Sequence, residues 1–168
     1  CALVCEYYSE NAESFLRDEL VPTEFRKSFI SFEPLGVVAG IMPWNFPFWQ
    51  VMRYAVPTLI AGNTAILKHS SVCTGSAMQT QEAFVESGFP DNVFQCIIGD
   101  YKAGETLVQS DNIDAVSVTG SVSTGKRVAE LAAIGLKKCV LELGGSDPFI
   151  VLEDADLDQT AHLAAQSR

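Results

Sequence analysis

What the chain lacks sets the first limits on it. There is no C-x-x-C pair and there are only two histidines, His69 and His162, so no spacing suits a zinc or dithiol site. Basic residues are scarce, eleven Lys and Arg against 21 Asp and Glu, for a net charge of −10. Bulk charge of that sign argues against holding nucleic acid or an anionic membrane, yet leaves room for one local anion pocket. Long apolar runs are missing too: the longest, Val51–Leu67, is broken by Arg53, Pro57 and Asn63, which excludes a membrane span. No secretory signal is visible, and the opening on Cys1 rather than methionine leads us to expect residues upstream. The five cysteines (Cys1, Cys5, Cys73, Cys96 and Cys139) are odd in number and read as reduced thiols of a cytoplasmic protein.

What is present describes a packed α/β domain. The 168 residues are 48% hydrophobic and 19% charged, enough to bury one core and to exclude intrinsic disorder. Helical spacing at Leu3, Val4, Tyr7, Phe15 and Leu20 predicts a helix within residues 1–20, followed by short strands at 28–32 and 37–41. Pro43 and Pro47 make the stretch around Asn45 a loop, because each proline denies its predecessor the α region. A helix over 48–60 should stop at Gly62-Asn63. The pattern then alternates, with strands at 64–68, 93–98, 115–119, 139–143 and 149–152. The intervening helices fall near 74–86, 103–109 and 123–133, and a last one starts near Asp156. The strands are continuous apolar runs, as strands covered on both faces are. Repeated β–α alternation predicts a doubly wound, Rossmann-like parallel sheet.

In such a sheet, ligands bind where strands end and helices begin. Four of those ends carry residues with chemical potential. Gly120-Ser121-Val122-Ser123-Thr124-Gly125 follows a strand and opens a helix, a place suited to phosphate, although the spacing matches neither G-x-G-x-x-G nor a Walker A loop. An ordinary β–α turn with a serine cap reads equally well. Lys68 ends an apolar strand and could grip a ribose or phosphate, or simply be solvated. Glu142, between Leu141 and Leu143, is a carboxylate in a strand expected to be nearly buried, either structurally paired or a general base of raised pKa. Asn45 could donate its amide to an oxyanion or form an Asx turn.

Taken together, Pro43-Trp44-Asn45-Phe46-Pro47, Lys68, Val118-Thr119-Gly120-Ser121 and Leu141-Glu142-Leu143-Gly144-Gly145 resemble the aldehyde dehydrogenase superfamily in order and spacing, over essentially the whole chain. Two stretches resemble the bacterial NAD(P)-dependent succinate-semialdehyde dehydrogenases within it: Ile41–Pro47 with Trp49–Arg53, and Lys137–Pro148. The resemblance implies that Asn45 donates to the oxyanion and that Glu142 activates water for deacylation. It implies a cofactor site, for NAD or NADP, made by Ile41, Met42, Pro43, Trp44, Lys68, Ser71, Gly104, Gly120, Ser121, Gly125 and Leu143. Ser71 stands where strictly NAD-using relatives tend to carry glutamate, so a 2′-phosphate has room. Arg53, nine residues after Trp44, would hold the distal carboxylate of succinic semialdehyde; a surface arginine on an amphipathic helix is the alternative.

His69 replaces a common proline and Val118 a common phenylalanine. None of the five cysteines matches the family's nucleophile motif, so that thiolate is expected beyond Arg168, and the chain is expected to be an internal segment. In that reading residues 1–168 are a cofactor-binding segment. Residues 1–35 form a helix and linking strand, 36–152 the βα core, and 153–168 the start of a helix leading to the catalytic part. The complete enzyme is expected to be a homo-oligomer acting on a small aldehyde, with neither nucleic acid nor membrane as partner. A non-catalytic dinucleotide-binding fragment and a coenzyme A-acylating dehydrogenase are the other readings.

Overall fold

The computed structural model describes residues 1–167. Five parallel strands form one sheet in the order β5-β4-β3-β6-β7. These are β3 (Val37–Met42), β4 (Thr64–His69), β5 (Phe94–Ile97), β6 (Ala115–Gly120) and β7 (Lys138–Leu143). Helices α2 (Trp49–Ile60), α3 (Thr74–Glu86), α4 (Tyr101–Gln109) and α5 (Val122–Ile134) connect them in turn. After β3 the chain winds outward through β4 and β5, then crosses back through α4 to place β6 on the other side of β3. The strand order therefore reverses between β3 and β6, where a doubly wound sheet opens its ligand crevice.

Alternation along β3 feeds both faces. Val38 joins the cluster under α2 and α3 with Val51, Tyr54, Leu67 and Phe84. Its neighbour Ala39 joins the opposite cluster under α4 and α5 with Val108, Val116, Val118 and Leu131. Two faces of aliphatic burial explain why β3, β4 and β6 read as unbroken apolar runs. Helix starts are set locally: Asp100 accepts from the Lys102 and Ala103 N–H groups, Ser121 from Thr124, and Asp156 from Gln159. Asn63 joins the end of α2 to the start of β3. Its Oδ1 accepts from Leu35 and Gly36, and its Nδ2 donates to the Thr58 carbonyl.

The structure corrects several sequence expectations. The first helix, α1, runs only from Ala2 to Phe15, and Leu20 lies instead in a two-residue strand, β1 (Glu19–Leu20). That strand pairs antiparallel with β2 (Phe29–Ile30), so the strand foreseen at 28–32 is shorter and belongs to a separate ribbon. Residues 149–152 form no strand: they pair with no neighbour and stand exposed, Ile150 by 79%. Strand β7 is not covered on both faces. Among the described residues it has one partner, β6, and Val140, Leu141, Glu142 and Leu143 are exposed. Its apolar run resembles those of the inner strands, but periodicity does not report which strand lies at an edge. The last helix, α6, spans Leu157–Gln166. Among the described residues no helix is long and apolar enough to cross a membrane.

Candidate functional site

Every strand end singled out in the sequence lies at the carboxyl edge of the sheet. β3 runs into the loop carrying Asn45, β4 ends on Lys68-His69, β6 ends on Gly120, and β7 carries Glu142 in its last turn of register with Thr119. A cleft of about 580 Å³ opens there. Ile41, Met42, Pro43, Trp44, Lys68, Gly104, Gly120 and Ser121 line it. Ser71, Gly125 and Leu143 are not in its lining. Gly125 is buried, and a Cβ there would meet the Leu143 side chain at 2.4 Å, so its smallness seats α5 against β7.

Sequence reasoning missed Ser70, Tyr101, Glu105, Arg127 and Val128, all of which line the cleft. Their signal was available in part. Asp100 caps α4, so Tyr101, Gly104 and Glu105 follow at helical i, i+3, i+4 spacing on one face. Arg127 lies one turn past Ser123 on α5. It reaches across to Glu105, Nε to Oε1 at 2.6 Å, joining α4 to α5 at the rim. That hydrogen bond holds the Glu105 carboxyl below its ordinary range.

The start of α5 lies in the cleft wall. Ser121 caps it, its side chain accepting from the Thr124 N–H at the positive end of the helix dipole. Lys68 is only 8% exposed. Burial lowers its ammonium pKa, with the Asp100 charge acting in the opposite direction. Hydroxyls of Ser70, Ser121, Ser123 and Thr124 complete a polar wall facing the apolar one of Ile41, Met42 and Trp44.

The Asn45 loop is held from beneath. His69, 4% exposed, places Nε2 2.9 Å from the Pro47 carbonyl and Nδ1 2.9 Å from the Ser70 N–H. Nε2–H therefore donates to Pro47 and Nδ1 accepts from Ser70. The Cys73 thiol adds a contact to the Trp44 carbonyl at 3.8 Å. Glu142 stands beyond the cleft, exposed rather than nearly buried, because β7 lies at the edge of the described sheet. Its Oε1 is 3.0 Å from an Arg53 guanidinium nitrogen, so the two residues read separately in the sequence are partners across α2 and β7. Among the described residues no cysteine lines the cleft, and no cluster of acids, histidines and cysteines could hold a metal.

A doubly wound sheet with a cleft at its topological switch point defines a Rossmann-like α/β protein. Residues 1–168 match the aldehyde dehydrogenase family along their full length. The chain belongs to that family. It is 51% identical, over all 168 residues, to a Synechocystis sp. protein named as a probable NADP+ succinate-semialdehyde dehydrogenase. It is 43% identical over 99% of its length to the Escherichia coli succinate semialdehyde dehydrogenase Sad. The chain spans 37% and 36% of those two relatives. Among solved structures it superposes on succinic semialdehyde dehydrogenase from Streptococcus pyogenes bound to NADP+ with a TM-score of 0.87. That match has 36% identity and covers 92% of this chain and 34% of the other. The succinate-semialdehyde dehydrogenase of Burkholderia pseudomallei gives a TM-score of 0.90 at 34% identity, over 97% of this chain and 34% of that one.

Proposed function

We propose that this chain supplies the cofactor cleft, oxyanion donor and deacylating base of an NAD(P)-dependent dehydrogenase that oxidises succinic semialdehyde to the acid. The observation that carries the reading is that the paired Arg53 and Glu142 and the Asn45 loop lie on the same carboxyl edge of the sheet as the cleft. The relatives' names point the same way.

The residues present fit a dinucleotide. The α5 N-terminus with Gly120 and Ser121 would hold the pyrophosphate, Lys68 the adenosine ribose, and Trp44 the nicotinamide side. Ser71, next to the cleft-lining Ser70, brings no carboxylate to repel a 2′-phosphate, so NADP is accepted alongside NAD. When bound, the nicotinamide ring supplies a hydride acceptor. A cysteine thiolate from outside these 168 residues adds to the aldehyde carbon, and the Asn45 amide N–H donates to the oxygen as it gains charge. Once that carbon is oxidised to the thioester level, Glu142 takes a proton from water as the water oxygen adds to the thioester carbonyl. The C–S bond breaks, the acid leaves, and the thiolate is restored. Arg53 holds the substrate's far carboxylate.

Replacing Glu142 with Gln in the full-length enzyme tests this. The expected result is a burst of reduced cofactor followed by slow turnover, because acylation proceeds and hydrolysis stalls. An unchanged steady-state rate would overturn the assignment of Glu142 as the base.

A further inference from the structure

The Arg53–Glu142 pair joins the two groups that the proposed reaction uses at different moments. Arg53 sits on the second turn of α2 and Glu142 near the end of β7, with N···O 3.0 Å and side chains 41% and 58% exposed. A glutamate engaged with a guanidinium has one oxygen occupied and its charge matched. An exposed pair of this kind is weak, so a competing carboxylate displaces it readily. The guanidinium fork also binds a carboxylate with two parallel N–H···O bonds, which a small mobile substrate can satisfy better than a side chain fixed to an edge strand. Two carboxylates at one guanidinium repel each other.

We propose that Arg53 gates the base: it holds Glu142 aside until the distal carboxylate of an acidic aldehyde takes its place and releases it. Substrate discrimination then acts on deacylation as well as on binding. The proposal rests on the reading of Arg53 as carboxylate anchor and Glu142 as base, and makes a demand that reading alone does not. Removing Arg53 should speed the hydrolysis of acyl groups that lack a carboxylate.

The test compares succinic semialdehyde with butanal in the full-length enzyme, reading deacylation as the decay of pre-formed acyl-enzyme. With butanal, Arg53→Met should raise the deacylation rate about 5-fold, which is ~1 kcal/mol converted at RT and is the upper range for an exposed ion pair. With succinic semialdehyde the same variant should raise KM and lose its deacylation advantage over butanal. Arg53→Lys, which keeps the charge on a similar stem, should restore the slow butanal rate. An unchanged or slower butanal deacylation in Arg53→Met overturns the gate, whatever happens to KM. An unchanged KM for succinic semialdehyde instead removes Arg53 from the carboxylate and overturns the underlying reading.

Discussion

His69 offers a sharp test of how the loop carrying Asn45, the proposed oxyanion donor, is held. Its ring is almost fully buried at the end of β4, and Nε2–H donates to the Pro47 carbonyl at 2.9 Å, two residues past Asn45. The Ser70 N–H that reaches Nδ1 also reaches the Met42 carbonyl at 2.9 Å, so losing the ring leaves Ser70 satisfied. The bond to Pro47 has no such substitute. In His69→Leu the ring space is roughly filled but that bond is gone, at a cost of about 1–2 kcal/mol for a hydrogen bond whose acceptor is left half-buried. The loss falls on the 43–48 loop and not on the sheet, because β3, β4 and β6 keep all of their ladders. Local opening of the loop should therefore become about 5- to 30-fold more frequent, which amide hydrogen exchange of peptides covering Trp44–Trp49 reads directly. His69→Gln can place its amide N–H near the same carbonyl and should recover most of the protection. In the full-length enzyme kcat/KM should fall in His69→Leu, by less than the ~100-fold expected from removing an oxyanion donor outright. Unchanged exchange in His69→Leu would refute the claim that this ring fastens the loop.

Two further predictions concern the scaffold. Gly40 lies mid-strand in β3, where a Cβ would sit 2.3–2.8 Å from the ring of Tyr54, itself bonded to the Val38 carbonyl. Gly40→Ala should cost about 2 kcal/mol or more through overpacking, seen as a lowered melting temperature, and a neutral result would mean that the ring moves freely. Burial against the Ala77 carbonyl pushes the Cys96 thiol up to about 11 from its ordinary 9.0. The folded state therefore keeps Cys96 protonated after the unfolded chain has ionised, so its contribution is whole below pH 9 and is lost as pH climbs to 11. Unfolding midpoints of the wild type should fall more steeply than those of Cys96→Ala across that window, and parallel slopes would sink the argument.

How legible all this was in the sequence depended on how local the cause is. The 74–86 helix, the caps at Ser121 and Asp156 and the inner strands follow from spacing, capping chemistry and β–α alternation within a dozen residues. Of the named cofactor residues lining the cleft, seven belong to motifs singled out in the sequence, because a motif at a strand end also fixes its position along the crevice. What depends on the order of strands was not legible. Lys138–Leu143 has the same apolar run as the buried strands, yet it lies at the edge of the described sheet, and this changes Glu142 from a nearly buried carboxylate into an exposed one. The change bears on function. The exposed carboxylate has Arg53 as its charged partner, at 3.0 Å. Nothing local in either stretch announces the pairing, since 89 positions separate the two residues and only the α2–β3–β6–β7 arrangement brings them together. The proposed gate thus links the residue read as substrate anchor to the residue read as base, and that link follows from topology where the motifs alone could not have supplied it.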